Sequence, residues 1–147
     1  MIHLWSLLAR EVITDTRTNN VSFINIIERI SFTSDPKRKS PKPPFSVPVS
    51  LFLVTTWMRS ELEKPEFGHA RVRIKDPLGK NLRASQSVEY DIDLSEAINF
   101  RATVGFPVFP FTTSGMYVVS TQLRDGRKWT DSGIAPLQII DNTPNPQ

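Results

Sequence analysis

Apolar residues along this chain recur at every second position, the period of a strand buried on one face, and no helical period runs for any length. Phe100, Ala102, Val104, Phe106 and Val108 share one side of a strand over 99–108. Over 47–58, Val49, Leu51, Leu53 and Trp57 alternate with Phe52 and Val54, which makes this segment the best candidate for a central core strand. The segments 2–13 and 21–32 also read as strands, and they carry apolar residues on both faces. In the first, Trp5, Leu7 and Ile13 stand against Leu4, Leu8 and Val12. Both segments are therefore expected to be covered twice, by an opposing sheet and by a loop or a second subunit. Further strands read over 87–94, from Gly115 onward and over 129–140, about eight in all with the hairpin described next. A short helical turn over 95–98, capped by Ser95, is the one departure.

One turn fixes the register around it. In Lys75-Asp76-Pro77-Leu78-Gly79-Lys80, proline presets φ and glycine tolerates the left-handed conformation that closes a three-residue loop. Counting outward pairs Lys75 with Asn81, Ile74 with Leu82, Arg73 with Arg83, Val72 with Ala84, Arg71 with Ser85 and Gly68 with Val88. One face of the hairpin is then largely apolar and the other basic. The Asp125-Gly126 turn leaves two registers open. A two-residue loop opposes Gln122 to Trp129, and a three-residue loop opposes Thr121 to it. The economical architecture is all-β: a two-layer antiparallel β-sandwich of immunoglobulin-like pattern, with a closed barrel as second choice. The chain reads as a single domain over 1–140 and a flexible C-terminal tail over 141–147, which has two prolines and no apolar anchor.

Composition narrows the function classes without choosing among them. At 147 residues, 39% hydrophobic and 22% charged, this is an ordinary globular domain. A net charge of +3 admits acidic partners but falls short of a dedicated nucleic-acid binder. The absence of cysteine excludes disulfides, thiolate metal sites and a cysteine nucleophile. The opening segment lacks a basic n-region and meets charge at Arg10 and Glu11, so it reads as a strand rather than a signal peptide. No segment approaches the roughly 20 apolar residues of a membrane helix. A cytoplasmic location without membrane contact is expected.

No constellation rises to a catalytic, cofactor or metal signature, and the chain is expected not to be an enzyme. His3 and His69 stand outside any nucleophile motif and make a poor zinc set. Glu89, Asp91 and Asp93 alternate as a solvated face does, with no Asp-rich loop to complete a calcium shell. The basic face of the hairpin is more informative, since Arg71, Arg73, Lys75 and Arg83 share it and Arg73 faces Arg83. Like charges in register require either an acidic neighbour, for which Glu61, Glu63 and Glu66 are candidates, or an anionic partner. The segment 34–44, rich in lysine and proline, is a solvated connector or a ligand for an aromatic groove or acidic surface. In Phe106-Pro107-Val108-Phe109-Pro110-Phe111, alternation buries Phe106 and Val108 and places Phe109 and Phe111 on the other side. The prolines confine this stretch to an edge or corner. Its phenylalanines either plug the open end of the sandwich, the preferred reading, or form a patch that a partner covers.

Three signatures also follow one another in order: Val21-Ser22-Phe23-Ile24-Asn25-Ile26-Ile27-Glu28-Arg29-Ile30, Val72-Arg73-Ile74-Lys75-Asp76-Pro77-Leu78-Gly79-Lys80, and Gly115-Met116-Tyr117-Val118-Val119 with Asp125-Gly126. Together they resemble a family of small uncharacterised bacterial β-sandwich proteins known only as a domain of unknown function. The resemblance spans 2–140 and implies a fold and a bacterial or phage setting; it carries over no catalytic residues. The resulting expectation is a non-enzymatic, cofactor-free sandwich that acts by contact with another protein or a second copy of itself. Phe106, Phe109, Phe111, Arg71, Arg73, Lys75 and Arg83 are its candidate contact residues. The alternatives are a sandwich or barrel holding a sugar or lipid against Trp5, Trp57 and Trp129, and weak binding of nucleic acid by the basic face.

Overall fold

A computed structural model describes residues 1–33, 45–47, 49–82, 88–111 and 113–143. These residues form eleven strands and no helix: β1 (Ile2–Thr14), β2 (Val21–Ile26), β3 (Arg29–Phe32), β4 (Phe45–Val47), β5 (Leu51–Met58), β6 (Glu66–Lys75), β7 (Val88–Leu94), β8 (Asn99–Phe106), β9 (Phe109–Phe111), β10 (Gly115–Asp125) and β11 (Lys128–Asp141). Hydrogen bonds sort them into a four-stranded sheet of order β2-β1-β5-β8, a five-stranded sheet of order β3-β11-β10-β6-β7, and a ribbon of β4 with β9. β3 joins β11 in parallel; the other pairings are antiparallel.

Period-two alternation gives the two larger sheets a shared apolar interior. Leu8, Leu51, Leu53 and Val104 meet Val72, Ile74, Tyr117, Val119 and Leu137 from the opposite sheet in one apolar cluster. β5 lies between β1 and β8 and is buried along most of its length, as the pattern over 47–58 predicts, although residue 47 belongs to the separate β4. A polar band interrupts this interior. Along β5 it falls at Thr55, between Leu53 of the first cluster and Trp57 of a second that also holds Ala70, Ile92 and Leu94. Thr55 Oγ1 lies 3.0 Å from the Tyr90 hydroxyl, and Trp57 Nε1 donates to both oxygens at 3.3 Å. On β1 the band falls at Ser6, whose Oγ lies 2.7 Å from His3 Nε2 and 3.4 Å from Thr121 Oγ1. Every member has a partner, the condition under which a polar layer fixes how two sheets align without a desolvation penalty.

The second covering expected for the first strands is incomplete, since Leu4, Ile13, Ile24 and Ile26 are exposed, and the face that the chain covers for itself is that of β5. Val54 and Thr56 face away from the opposite sheet, yet they are only 0% and 7% exposed. The four-stranded sheet curls: Trp5 meets Phe23 edge-on at 5.8 Å, and Arg101 of β8 donates to the Asn19 carbonyl in the β1–β2 turn at 3.3 Å. The β1–β2 ladder skips Arg10 and Asn25, and Asn25 takes a φ of +53°, an irregularity of the kind that bends a hairpin.

The turns show where sequence register holds and where it slips. Around Asp76 it holds. Asp76 Oδ1 accepts from the amides of Leu78 and Lys80, Gly79 takes φ +77°, Lys75 bridges Asn81, and the Leu82 amide donates to the Ile74 carbonyl. Beyond Leu82 it slips: Val88 faces Val72 rather than Gly68, a displacement of four residues. Val72 and Arg71 take Val88 and Glu89 as partners, while Ala84 and Ser85, which the turn assigns to them, lie outside the described residues. An even displacement keeps every side chain on its predicted face, and it sets Glu89 rather than a serine against Arg71. Arg83, the 34–44 segment and residues 144–147 lie outside the described residues. The second hairpin takes neither predicted register. Asp125 faces Lys128 across a Gly126-Arg127 loop in which Gly126 adopts φ +57°, and Trp129 faces Arg124. The 95–98 segment bends without forming a helical turn, and the Ser95 amide donates to Asp93 instead. Of the tail, the Asn142 amide is tied to the Phe32 carbonyl at 2.8 Å.

Candidate interaction surfaces

The predicted contact residues divide between the inside and the outside of the molecule. Phe106, Phe109 and Phe111 are 9%, 0% and 3% exposed, so they close the core and offer no patch to a partner. Phe109 packs edge-on to Phe106 and Tyr117 with ring centroids at 6.4 and 5.9 Å, and Phe111 lies against Phe32 at 4.9 Å. β8 ends at Phe106, the chain bends at Pro107 and Val108, and Val108 is left 45% exposed rather than sharing the buried face. The break at Pro107 resets the alternation that sequence reading carried through it.

Arg71, Arg73 and Lys75 do share the outer face of β6, and Arg71 and Lys75 join a ladder that crosses four strands. The Arg71 guanidinium stacks on the Trp129 ring with Cζ 4.1 Å from its centroid, and its Nε donates to Gln122 Oε1 at 2.7 Å. Gln122 Nε2 donates to Asp131 Oδ1 at 2.7 Å, and Lys75 Nζ lies 3.6 Å from Asp131 Oδ2. The acidic neighbour of the basic face is therefore β7 and Asp131, not the 61–66 connection. Glu61 pairs with Lys64. Glu66 is held by the Met1 ammonium at 2.7 Å and by Ser60, which push its carboxyl down to about 2. Sequence reasoning does not find Trp129, Gln122 and Asp131, because their placement depends on the hairpin register it leaves open.

His69 sits in the same ladder, with Nδ1 2.7 Å from Asp91 Oδ1 and Nε2 3.0 Å from Glu89 Oε2. Both partners are acceptors, and only the imidazolium donates from both nitrogens. Glu89 first, and then Asp91, raise its pKa above the ordinary 6.5. A raised folded-state pKa gives stabilisation that is complete below 6.5 and disappears as pH climbs through the raised value. In a proton NMR titration the His69 ring is expected to titrate above 6.5, and Glu89→Gln is expected to bring it back further than Asp91→Asn does. A ring titrating at or below 6.5 contradicts the clasp. With Glu89 and Asp91 on His69 and Asp93 on the Ser95 amide, the three carboxylates weighed for calcium are already engaged. Among the described residues no group of three His, Asp or Glu is placed to hold a metal ion.

His3 lies between the sheets, edge-on to Trp57 at 5.0 Å, and burial lowers its pKa. Its Ser6 partner belongs to the polar band already described. The three indoles go to three separate places: Trp57 to the interior, Trp5 under the curled hairpin and Trp129 to the outer ladder. Three surface depressions, of about 460, 380 and 170 Å³, are lined by none of them. Uncovered apolar side chains gather elsewhere. On the β1–β2 hairpin Ile13, Ile24 and Ile26 are 48%, 39% and 58% exposed. No helix of the described residues is long and apolar enough to cross a membrane. No protein-family model matches the chain, and no curated protein is similar to it at a significant level.

Proposed function

We propose that this chain is a non-enzymatic interaction domain, an immunoglobulin-like β-sandwich that acts in the bacterial or phage cytoplasm by contact with other protein, beginning with a second copy of itself. The observation that carries the reading is the β1–β2 hairpin, whose inner side is packed on its own sheet while Ile13, Ile24 and Ile26 stand uncovered outside. The immunoglobulin-like assignment is supported by Tyr117. Its hydroxyl donates to the Thr113 carbonyl at 2.8 Å, a corner bond to backbone just upstream of the kind those domains use. The test is sedimentation across a concentration series. Self-association is expected for the natural chain, and Ile24→Lys with Ile26→Lys is expected to shift it to monomer without changing its circular dichroism. A natural chain that stays strictly monomeric at high concentration removes self-association; one whose association survives both lysines removes the hairpin as the contact.

A further inference from the structure

The outer face of the five-stranded sheet carries a second uncovered strip beside the charged ladder. Met116 is 49% and Ile134 61% exposed, with Pro136 exposed and Val118 half-buried between them. Met116 faces Gln138, Val118 faces Pro136 and Ser120 faces Ile134, so the strip runs along the strands for about 14 Å at about 3.4 Å per residue. Its β6 rim is basic: Lys75 stands opposite Val118 and Arg73 opposite Ser120. Lys75 has Asp131 at 3.6 Å, whereas among the described residues Arg73 forms no ion pair. At the β3 rim Glu28 and Arg29 offset one another and border the 460 Å³ depression that Met116, Pro136 and Gln138 also line. The uncompensated charge along the strip is therefore positive and lies on its β6 side.

We infer that this strip docks an amphipathic helix of a partner protein, with its apolar stripe on Met116, Val118, Ile134 and Pro136 and its carboxylates along the flank facing Arg73 and Lys75. The inference rests on the reading of the chain as an interaction domain, but on a face other than the β1–β2 hairpin. Dimensions favour a helix. The strip is two strands wide, β10 and β11 lying about 4.8 Å apart, with β6 beside it from Val118 to Ser120 and β3 reaching it only at Gln138. A helix with its side chains is about 10–12 Å across, so it covers both strands and brings one flank over Lys75 and Arg73. A strip of about 14 Å takes about nine helical residues, enough for anchors at i, i+3 or i+4, and i+7.

The test titrates the full chain against two fluorescein-labelled helical peptides that share a leucine stripe, one with glutamates along one flank and the other with lysines there. The glutamate peptide is expected to bind, more weakly as salt rises, and the lysine peptide is not. Ile134→Asp is expected to lower affinity by about tenfold or more. Arg73→Glu is expected to weaken the glutamate peptide and transfer preference to the lysine peptide, a reversal that misfolding cannot produce. Equal binding of both peptides, an unchanged preference in Arg73→Glu, or no binding of either at about 1 mM overturns the inference. So does a self-associating chain that Ile134→Asp makes monomeric, since a second copy then covers the strip. Ile24→Lys with Ile26→Lys is expected to leave peptide binding intact, which separates failure here from failure of the hairpin reading; loss of binding in that variant overturns the placement.

Discussion

Phe109→Ala is expected to destabilise the fold by about 3–5 kcal/mol, while Val108→Ala, one residue earlier, stays within about 0.5 kcal/mol. The Phe109 ring is fully enclosed, edge-on to Phe106 and Tyr117, and lies at the end of the interior where β4 and β9 form their short ribbon. Removing it costs the transfer free energy of the ring and the dispersion attraction of the side chains that then line an empty space. Three residue pairs hold β9 to β4, so the ribbon can settle inward and keep the cost toward the lower end of that range. Thermal unfolding followed by circular dichroism reads the difference, on the order of 10 °C in Tm for the alanine at 109. A Phe109→Ala protein that melts with the natural chain would take this ring out of the core and return the Phe-Pro segment to the role of an exposed patch.

The parts of the fold legible in the sequence are those that one strand or one turn determines. β5 is identified by its own apolar run, and the Asp76 turn by proline and glycine at positions where φ demands them. Pairings that depend on how much chain a connection consumes are not legible. β7 meets β6 four residues away from the register that the Asp76 turn sets, and nothing in the composition of the chain between Leu82 and Val88 fixes that number. The Gly126-Arg127 loop places glycine first in the turn, earlier than in either register that the sequence offers. The curled four-stranded sheet carries a positive φ at Asn25 inside an otherwise regular strand pattern, a signal that turns and bulges share and that alternation does not reveal.

The candidate surfaces were legible to the same extent. Period two put Arg71, Arg73 and Lys75 on one face, and they are there. Their partners come from β7, β10 and β11, two of which needed a register the sequence did not fix. The helix-sized strip on β10 and β11 was invisible for a different reason. Met116, Val118, Ile134 and Pro136 are apolar on the side away from the core, and a sequence in which both faces carry apolar residues does not say which face the fold leaves open.

Arg59→Met is expected to cost about 3 kcal/mol, the second large effect, and for a reason unrelated to apolar packing. Arg59 is 8% exposed and directly follows β5. Its Nε donates to the Leu94 carbonyl at 2.7 Å, Nη1 to Leu62 at 2.8 Å and Nη2 to Ser95 at 2.7 Å, while its backbone amide donates to Ile98 at 3.1 Å. One planar fork thus ties the β5–β6 connection to the β7–β8 connection and closes the end of the interior beside Trp57 and Leu94. Methionine keeps much of the stem's packing but removes all three side-chain donors. Hydrogen bonds to a charged donor are each worth about 1.5–3 kcal/mol, and the carbonyls nearest the rim regain water, so the total falls below the sum. Arg59→Lys is expected to recover less than half of the loss, because a single ammonium cannot reproduce three donors held in a fixed plane. Urea unfolding of the three proteins decides it: a lysine variant as stable as the natural chain would show that charge rather than geometry holds the two connections, and a methionine variant within about 0.5 kcal/mol would show that nothing there is being held.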